Sequence, residues 1–315
     1  MPVIAQPNGE FLTEGTPLKA YSPLLTYPEQ DENSAEQPRK TTWDEIKEGM
    51  MGSFSFSYEE LKRKELQEGF TVGSGITIPL QRTPPTNEFG YQTQGQVSNN
   101  YAIFGSLTYV PVTFWFWNIT AYKYLDNKYK APWNPEFSYR FGYDDWHPYT
   151  FSLVYGNYGG NRIFPDEGEQ WTHFNQGNIS LGWKFPEPQA LANIFLFDTT
   201  ATIGHSINYN VTPRYTDIKG KSTNKWKQSV SLSTKYTVYE WWYWNFTLFY
   251  YPDPSQQQPW DPDFTYGFGY FDWHRGTVTV QYNNYAGNRF FWRNTEQKPG
   301  GFLDGSISVS SSWTF

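Results

Sequence analysis

The last ten residues, Ser306–Phe315, read SISVSSSWTF. Ile307, Val309, Trp313 and Phe315 fall on one parity; Ser306, Ser308, Ser310, Ser312 and Thr314 fall on the other. A period of two marks an extended strand, whose successive side chains point to opposite faces. A strand in a soluble sandwich alternates in the same way, so the polar parity has to decide. Water-facing surfaces are ordinarily rich in Lys and Glu. Serines and threonines suit a crowded, hydrated interior instead. The stretch reads as a strand with hydrocarbon on one side and a polar lumen on the other.

The same alternation recurs upstream. Phe137, Tyr139, Phe141 and Tyr143 oppose Ser138, Arg140, Gly142 and Asp144, and Ile179, Leu181, Trp183 and Phe185 oppose Asn178, Ser180, Gly182 and Lys184. Read along the chain, the pattern predicts twelve strands. Six are Gly73–Gln81, Asn100–Val110, Trp115–Tyr124, Phe137–Asp145, Tyr149–Tyr158 and Asn178–Phe185. The other six are Thr199–Asn210, Lys227–Val238, Trp242–Tyr251, Phe264–Asp272, Thr277–Tyr285 and Ser306–Phe315. Turns alternate between short ones, such as Trp146–Pro148 and Tyr239–Trp241, and long ones, such as Asn161–Gly177 and Val211–Trp226. The expected fold class is all-β: a twelve-stranded antiparallel transmembrane barrel with both ends of the ring on the short-turn side.

The barrel reads as a duplication. FGYDDWHPYTFSLVYGNYGGNR, Phe141–Arg162, returns as FGYFDWHRGTVTVQYNNYAGNR, Phe268–Arg289. The shift is the same from Trp115 onto Trp242 to Arg162 onto Arg289; beyond it, Gly177 faces Gly305 one residue out of step. The halves cover about residues 71–190 and 191–315. Residues 1–70 differ: Gln6–Lys40 is rich in Pro, Glu, Gln and Ser and reads as extended. Thr42–Met51 and Tyr58–Glu68 read as short helices; the alternation of Phe54, Phe56 and Tyr58 is the alternative, a strand that would disturb the count of twelve. Val3-Ile4-Ala5 before Gln6 reads as the tail of an export-signal cleavage site. The segment is expected to plug the lumen or to meet a periplasmic partner through residues 6–70.

Composition bounds the chemistry. The 315 residues are 21% aromatic, with a mean hydropathy of -0.70 and a net charge of -7. Without cysteine there are no disulfides, thiolate nucleophiles or Cys-based metal sites. The acidic balance offers no basic stripe for nucleic acid. No run is long and apolar enough for a transmembrane helix. No cofactor is expected.

The repeated Asp145-Trp146-His147 and Asp272-Trp273-His274 could pair a base with its orienter. At tight turns, Trp and His serve more simply as interfacial anchors. The expected girdle is Trp115, Trp117, Trp146, His147, Trp242, Trp244, Trp273, His274, Trp313 and Phe315. By parity, Tyr158 with Arg162 and Tyr285 with Arg289 approach the lumen mouth. There a guanidinium would bind a carboxylate or phosphate, or tie down a loop through acids such as Asp166, Glu167 or Glu169. Arg140, Lys184 and Lys235 complete the expected lumen set. His205 shares the outward face of Ile203 and Ile207, but Ser206 points inward, so a nucleophile and base do not meet.

The terminal Phe315 closing an alternating strand resembles the C-terminal signature of Gram-negative outer-membrane β-barrels. That resemblance covers about Gly73–Phe315. It implies the bacterial outer membrane, contact with its lipids and lipopolysaccharide, and insertion by the barrel-assembly machinery. Members of twelve strands include nucleoside and acidic-sugar channels and lipid-modifying enzymes, so strand count does not choose a function. The reading expects a channel for small polar or anionic solutes, or for a polymer such as a polysaccharide. A structural anchor using the N-terminal segment and a lipid-modifying enzyme are the alternatives.

Overall fold

A computed structural model describes residues 69–80, 100–126, 134–145, 149–158, 161–164, 174–186, 201–216, 222–223, 225–239, 241–258, 261–271, 277–284, 288–293 and 301–315. The expected plug, its helices and the alternative strand at 54–58 lie outside these residues.

The first six strands are β1 (Gly69–Pro79), β2 (Ala102–Val112), β3 (Trp115–Tyr124), β4 (Phe137–Asp144), β5 (Phe151–Asn157) and β6 (Asn178–Pro186). After β7 (Thr202–Thr212) come two short strands, β8 (Tyr215–Thr216) and β9 (Ser222–Thr223). The chain then continues through β10 (Lys227–Val238), β11 (Trp242–Tyr250), β12 (Phe264–Tyr270), β13 (Val278–Asn284) and β14 (Ser306–Thr314). Twelve of these close into a barrel in the order β1-β14-β13-β12-β11-β10-β7-β6-β5-β4-β3-β2. The predicted spans of β3 and β10 match to the residue, and the others shift by a few positions at their ends. The small β8–β9 hairpin occupies a connection in which the alternation predicted no strand.

Register follows the alternation. β14 pairs with β1 so that Ser310 faces Gly75 and Val309 faces Ile76, keeping small polar residues beside small ones and apolar beside apolar. A slip by one residue would turn every apolar side chain into the lumen. Phe104 is one of several large rings on the inner wall; it crosses its neighbour Gly75, whose missing side chain leaves room for the ring. Gly142 and Gly269 occupy equivalent inward positions. A Cβ there would sit 2.2 Å from the Leu153 carbonyl oxygen and 2.3 Å from that of Val280. The strands approach too closely at these points for any side chain.

The outer wall separates a membrane barrel from a soluble one. Phe70, Ile103, Leu107, Ile119, Leu153, Leu181, Ile207, Phe246 and Val280 all stand exposed on it. Monomeric soluble proteins rarely leave so continuous an apolar band in water. The inner wall is its complement: Thr77, Thr120, Ser138, Ser231, Thr265, Ser306 and Ser308 are each buried.

The duplication organises the ring. β3 and β11 are equivalent, as are β4 and β12, β5 and β13, and β6 and β14. In the closed order β3 and β11 stand six places apart among twelve, on opposite walls. The seams β6–β7 and β14–β1 are therefore counterparts.

Candidate functional site: the lumen and its rims

The inner wall is a hydrogen-bonded ladder of short polar side chains. Thr77 Oγ1 meets Ser308 Oγ at 3.2 Å, and Asn118 Nδ2 donates to Thr108 Oγ1 at 2.9 Å. Further round, Asn178 donates to Asn210, and Ser233 Oγ meets Thr247 Oγ1 at 2.9 Å. Each of these bonds ties one strand to its neighbour through inward side chains.

Charge on this wall is sparse and of one dominant sign. Among the described inward strand positions the charged residues are Arg140, Asp144, Lys184, Lys227 and Lys235. Lys184 pairs with Asp144 and also donates to the Asp145 carbonyl at 2.6 Å. Lys227 pairs with Asp261. Arg140 lies 5.5 Å above the Phe116 ring, and Lys235 lies 4.9 Å from the Tyr243 ring and 5.8 Å from that of Phe271. Phe116 and Tyr243 are equivalent residues of the two halves, so these cation–aromatic pairs face each other from opposite walls. Each draws its cation from a different neighbouring strand: Gly267 stands where Arg140 would repeat, and Thr108 where Lys235 would. The sequence parity found the cations. It missed their aromatic partners, whose inward parity beside Asn118 and Asn245 was the available signal.

The recurrent Asn-Arg pair does its work at the long-loop rim. Arg162 donates to the Asn134 carbonyl at 2.5 Å and is buried. Arg289 donates to the Asp261 carbonyl and, at 2.9 Å, to that of Gln258. Each guanidinium thus pins the loop entering β4 or β12 to the chain leaving β5 or β13. Equivalent backbone bonds flank both: Glu136 N to Asn161 O and Asp263 N to Asn288 O, each at 2.7 Å. The carboxylates of Glu136 and Asp263 accept from Ile163 N at 2.9 Å and Phe290 N at 3.0 Å. The Tyr158 ring folds against inward Gly156. Tyr285 lies outside the described residues.

The clasp differs in charge between the halves. Asn100 and Asn134 in the first half become Lys227 and Asp261 in the second, and the new charges pair in a nearly dry site. Arg293 joins through Asp263, which also lies 3.8 Å from Arg289. Burial pushes the Arg289 guanidinium below its ordinary value, and the Asp263 and Asp261 carboxylates oppose that shift. Lys227 and Asp261 were not among the expected site residues. Their signal was present, however, as a paired change between aligned copies.

Outside the barrel, Tyr155 and Tyr282 keep the predicted outward parity yet are buried. A short 3-10 turn folds over each: Phe174 stacks on Tyr155 at 4.2 Å and Phe302 on Tyr282 at 4.5 Å. Both hydroxyls donate to the covering Phe carbonyl, at 2.6 and 2.8 Å. At the opposite rim, Trp115, Trp117, Trp242, Trp244, Trp313 and Phe315 stand exposed on the outer wall. Trp146, His147, Trp273 and His274 lie outside the described residues. His205 is outward, stacked on Phe185 at 5.3 Å, with Nδ1 2.9 Å from Thr234 Oγ1.

A closed ring with an apolar outer band and a polar inner wall defines an integral membrane β-barrel. No family model and no curated relative matches the chain. Among solved structures it is similar to the NanC porin, at 9% identity and a TM-score of 0.38, over 78% of this chain and 100% of that one. It is also similar to an outer membrane channel from Pseudomonas putida F1, at 10% identity and a TM-score of 0.35, over 79% and 96% of the two chains.

Proposed function

We propose that the protein is a bacterial outer-membrane channel that passes small anionic solutes. The observation that carries this reading is the pair of inward cation–aromatic contacts on opposite walls, Arg140 with Phe116 and Lys235 with Tyr243. Beyond these two cations the inward charges are paired, Lys184 with Asp144 and Lys227 with Asp261, and the remaining Ser, Thr, Asn and Gly lining offers a hydrated path without a strong trap. Cations lining a hydrated path with low-dielectric walls raise the local concentration of anions and repel cations. The flanking rings present flat faces to the ring or carbon skeleton of a solute while its acidic group meets the cation.

Purified full-length protein in planar bilayers tests this. A salt gradient should give a reversal potential of the sign set by anion passage. The double substitution Arg140→Gln and Lys235→Gln should move that potential toward zero, with the barrel still formed. No conductance, or a preference for cations in the native chain, overturns the reading.

A further inference from the structure

We infer that Asn245 and Asn283 form a hydroxyl-recognising station on the inner wall, which makes the lumen select hydroxylated anions over their deoxy counterparts. The assignment rests on the channel reading of the same lumen and adds a feature of its solute. Lys235, Asn245, Gly267 and Asn283 stand side by side in register on β10, β11, β12 and β13, all of them inward. Gly267 leaves a gap between the two amides, and both lean over it. A Cβ on Gly267 would lie 2.6 Å from Asn245 Oδ1 and 2.7 Å from Asn283 Oδ1.

The two amides are buried, at 8% and 2% exposure. Yet Asn245 Oδ1 and Asn283 Nδ2 have no hydrogen-bond partner among the described residues. Leaving a buried polar atom unbonded costs more than a typical bond returns, so two such atoms together call for a partner. The duplication shows what differs. In the first half, Asn118 Nδ2 donates to Thr108 Oγ1 at 2.9 Å, and Asn118 Oδ1 accepts from Thr120 Oγ1 at 3.5 Å. In the second, Lys235 stands where Thr108 would, and Thr247, the counterpart of Thr120, meets Ser233 Oγ instead. Asn283 stands where the first half has Gly156, so the second amide also belongs to this half alone.

An orphaned acceptor beside an orphaned donor defines the group that fits. A carboxylate only accepts and an ammonium only donates; a hydroxyl does both. Lys235 is the register neighbour of Asn245, about 5 Å away along the wall. A small anion whose acidic group meets that cation therefore lays its adjoining hydroxyls against the amides. The opposite wall is built differently: Asn118 is satisfied, Gly156 has no side chain, and Arg140 fills the position of Gly267. One wall reads charge; the other reads charge and hydroxyl together.

Glycerate and propionate share a carbon chain and a carboxylate and differ in hydroxyls. With purified full-length protein in planar bilayers and one anion on each side, the reversal potential gives their permeability ratio. The native chain should favour glycerate by about two- to tenfold beyond the ratio of free mobilities, the worth of one or two neutral hydrogen bonds. Asn245→Ala and Asn283→Gly, the latter copying Gly156, should return the ratio to that of free mobilities. Asn283→Ser keeps a group that donates and accepts, and should retain most of the preference. Heat-modifiable migration in gels checks that each variant is folded. A native ratio equal to that of free mobilities means that the amides hold water only, and overturns the proposal. A preference left unchanged by both Asn245→Ala and Asn283→Gly overturns it too. If no form conducts, the channel reading fails, and saturation-transfer NMR of glycerate on the folded barrel in detergent decides the station alone. A native signal that Asn245→Ala abolishes upholds it, and equal signals overturn it.

Discussion

Replacing Lys227 by Asn removes half of a buried ion pair and leaves the Asp261 carboxylate in place. The two side chains are 3% and 0% exposed, so water cannot re-solvate the survivor without opening the loop. Breaking such a pair from one side typically costs about 3–5 kcal/mol, because an uncompensated charge remains buried. Asp261→Asn should cost a similar amount, leaving Lys227 facing Arg289 without its counter-ion. If the two losses were independent, the double variant would lose about 6–10 kcal/mol. The first half of the protein argues otherwise, since Asn100 and Asn134 hold the equivalent positions, both buried, with Asn100 Nδ2 bonded to the Asp126 carbonyl at 2.5 Å. The double variant Lys227→Asn with Asp261→Asn copies that arrangement. It should lie within about 1–2 kcal/mol of the native chain, comparable to one or two neutral hydrogen bonds. Urea unfolding of the folded barrel in detergent, followed by tryptophan fluorescence, would measure all four corners of the cycle. Additive losses, or single variants indistinguishable from native, would refute the claim that the two charges replaced two amides as a coupled unit.

Three further outcomes follow from geometry. Gly142→Ala should destabilise the barrel by about 1–3 kcal/mol, since its Cβ would meet the Leu153 carbonyl at 2.2 Å; Gly105→Ala, whose Cβ would lie 4.0 Å from the Gly73 carbonyl oxygen, should stay within about 0.5 kcal/mol. Equal effects in the same unfolding assay would contradict the close approach at β4–β5. Tyr282→Phe should cost about 1 kcal/mol through loss of the bond to the Phe302 carbonyl, and proteolysis near residue 302 should accelerate; unchanged cleavage and stability would remove the turn's anchoring role. With Trp117 as a single tryptophan probe, brominated acyl chains should quench its emission and aqueous iodide should not, because it stands on the outer wall; the reverse pattern would invert the assigned faces.

Most of the barrel was legible because lipid leaves little freedom to the outward half of each strand. That constraint wrote the alternation into Phe137–Asp144 and Ser306–Thr314 directly. The β8–β9 hairpin has two residues per strand, too few for any period to show. Parity also states only which face a residue takes, not what lies upon it. Tyr155 and Tyr282 were placed on the outer wall correctly, but Phe174 and Phe302, nearly twenty residues on, decide that they are covered. Arg162 and Arg289 posed the same difficulty. Their carbonyl partners sit in the preceding loop, outside any strand, where no alternation applies. The internal repeat was the better instrument there, since both copies build the same clasp.

The equivalence of the two seams has a consequence for assembly. β6 offers β7 the edge that β14 offers β1. A chain interrupted after β6 would carry two raw edges, each shaped to receive the other. Two such fragments could close one ring between them, with each as the other's missing half. Nascent or truncated chains crowded together therefore face a competitor that mimics the correct partner strand for strand. Inside one intact chain the tether between β6 and β7 tips that contest toward self-closure, and the final seam must wait for β14, the last strand to emerge.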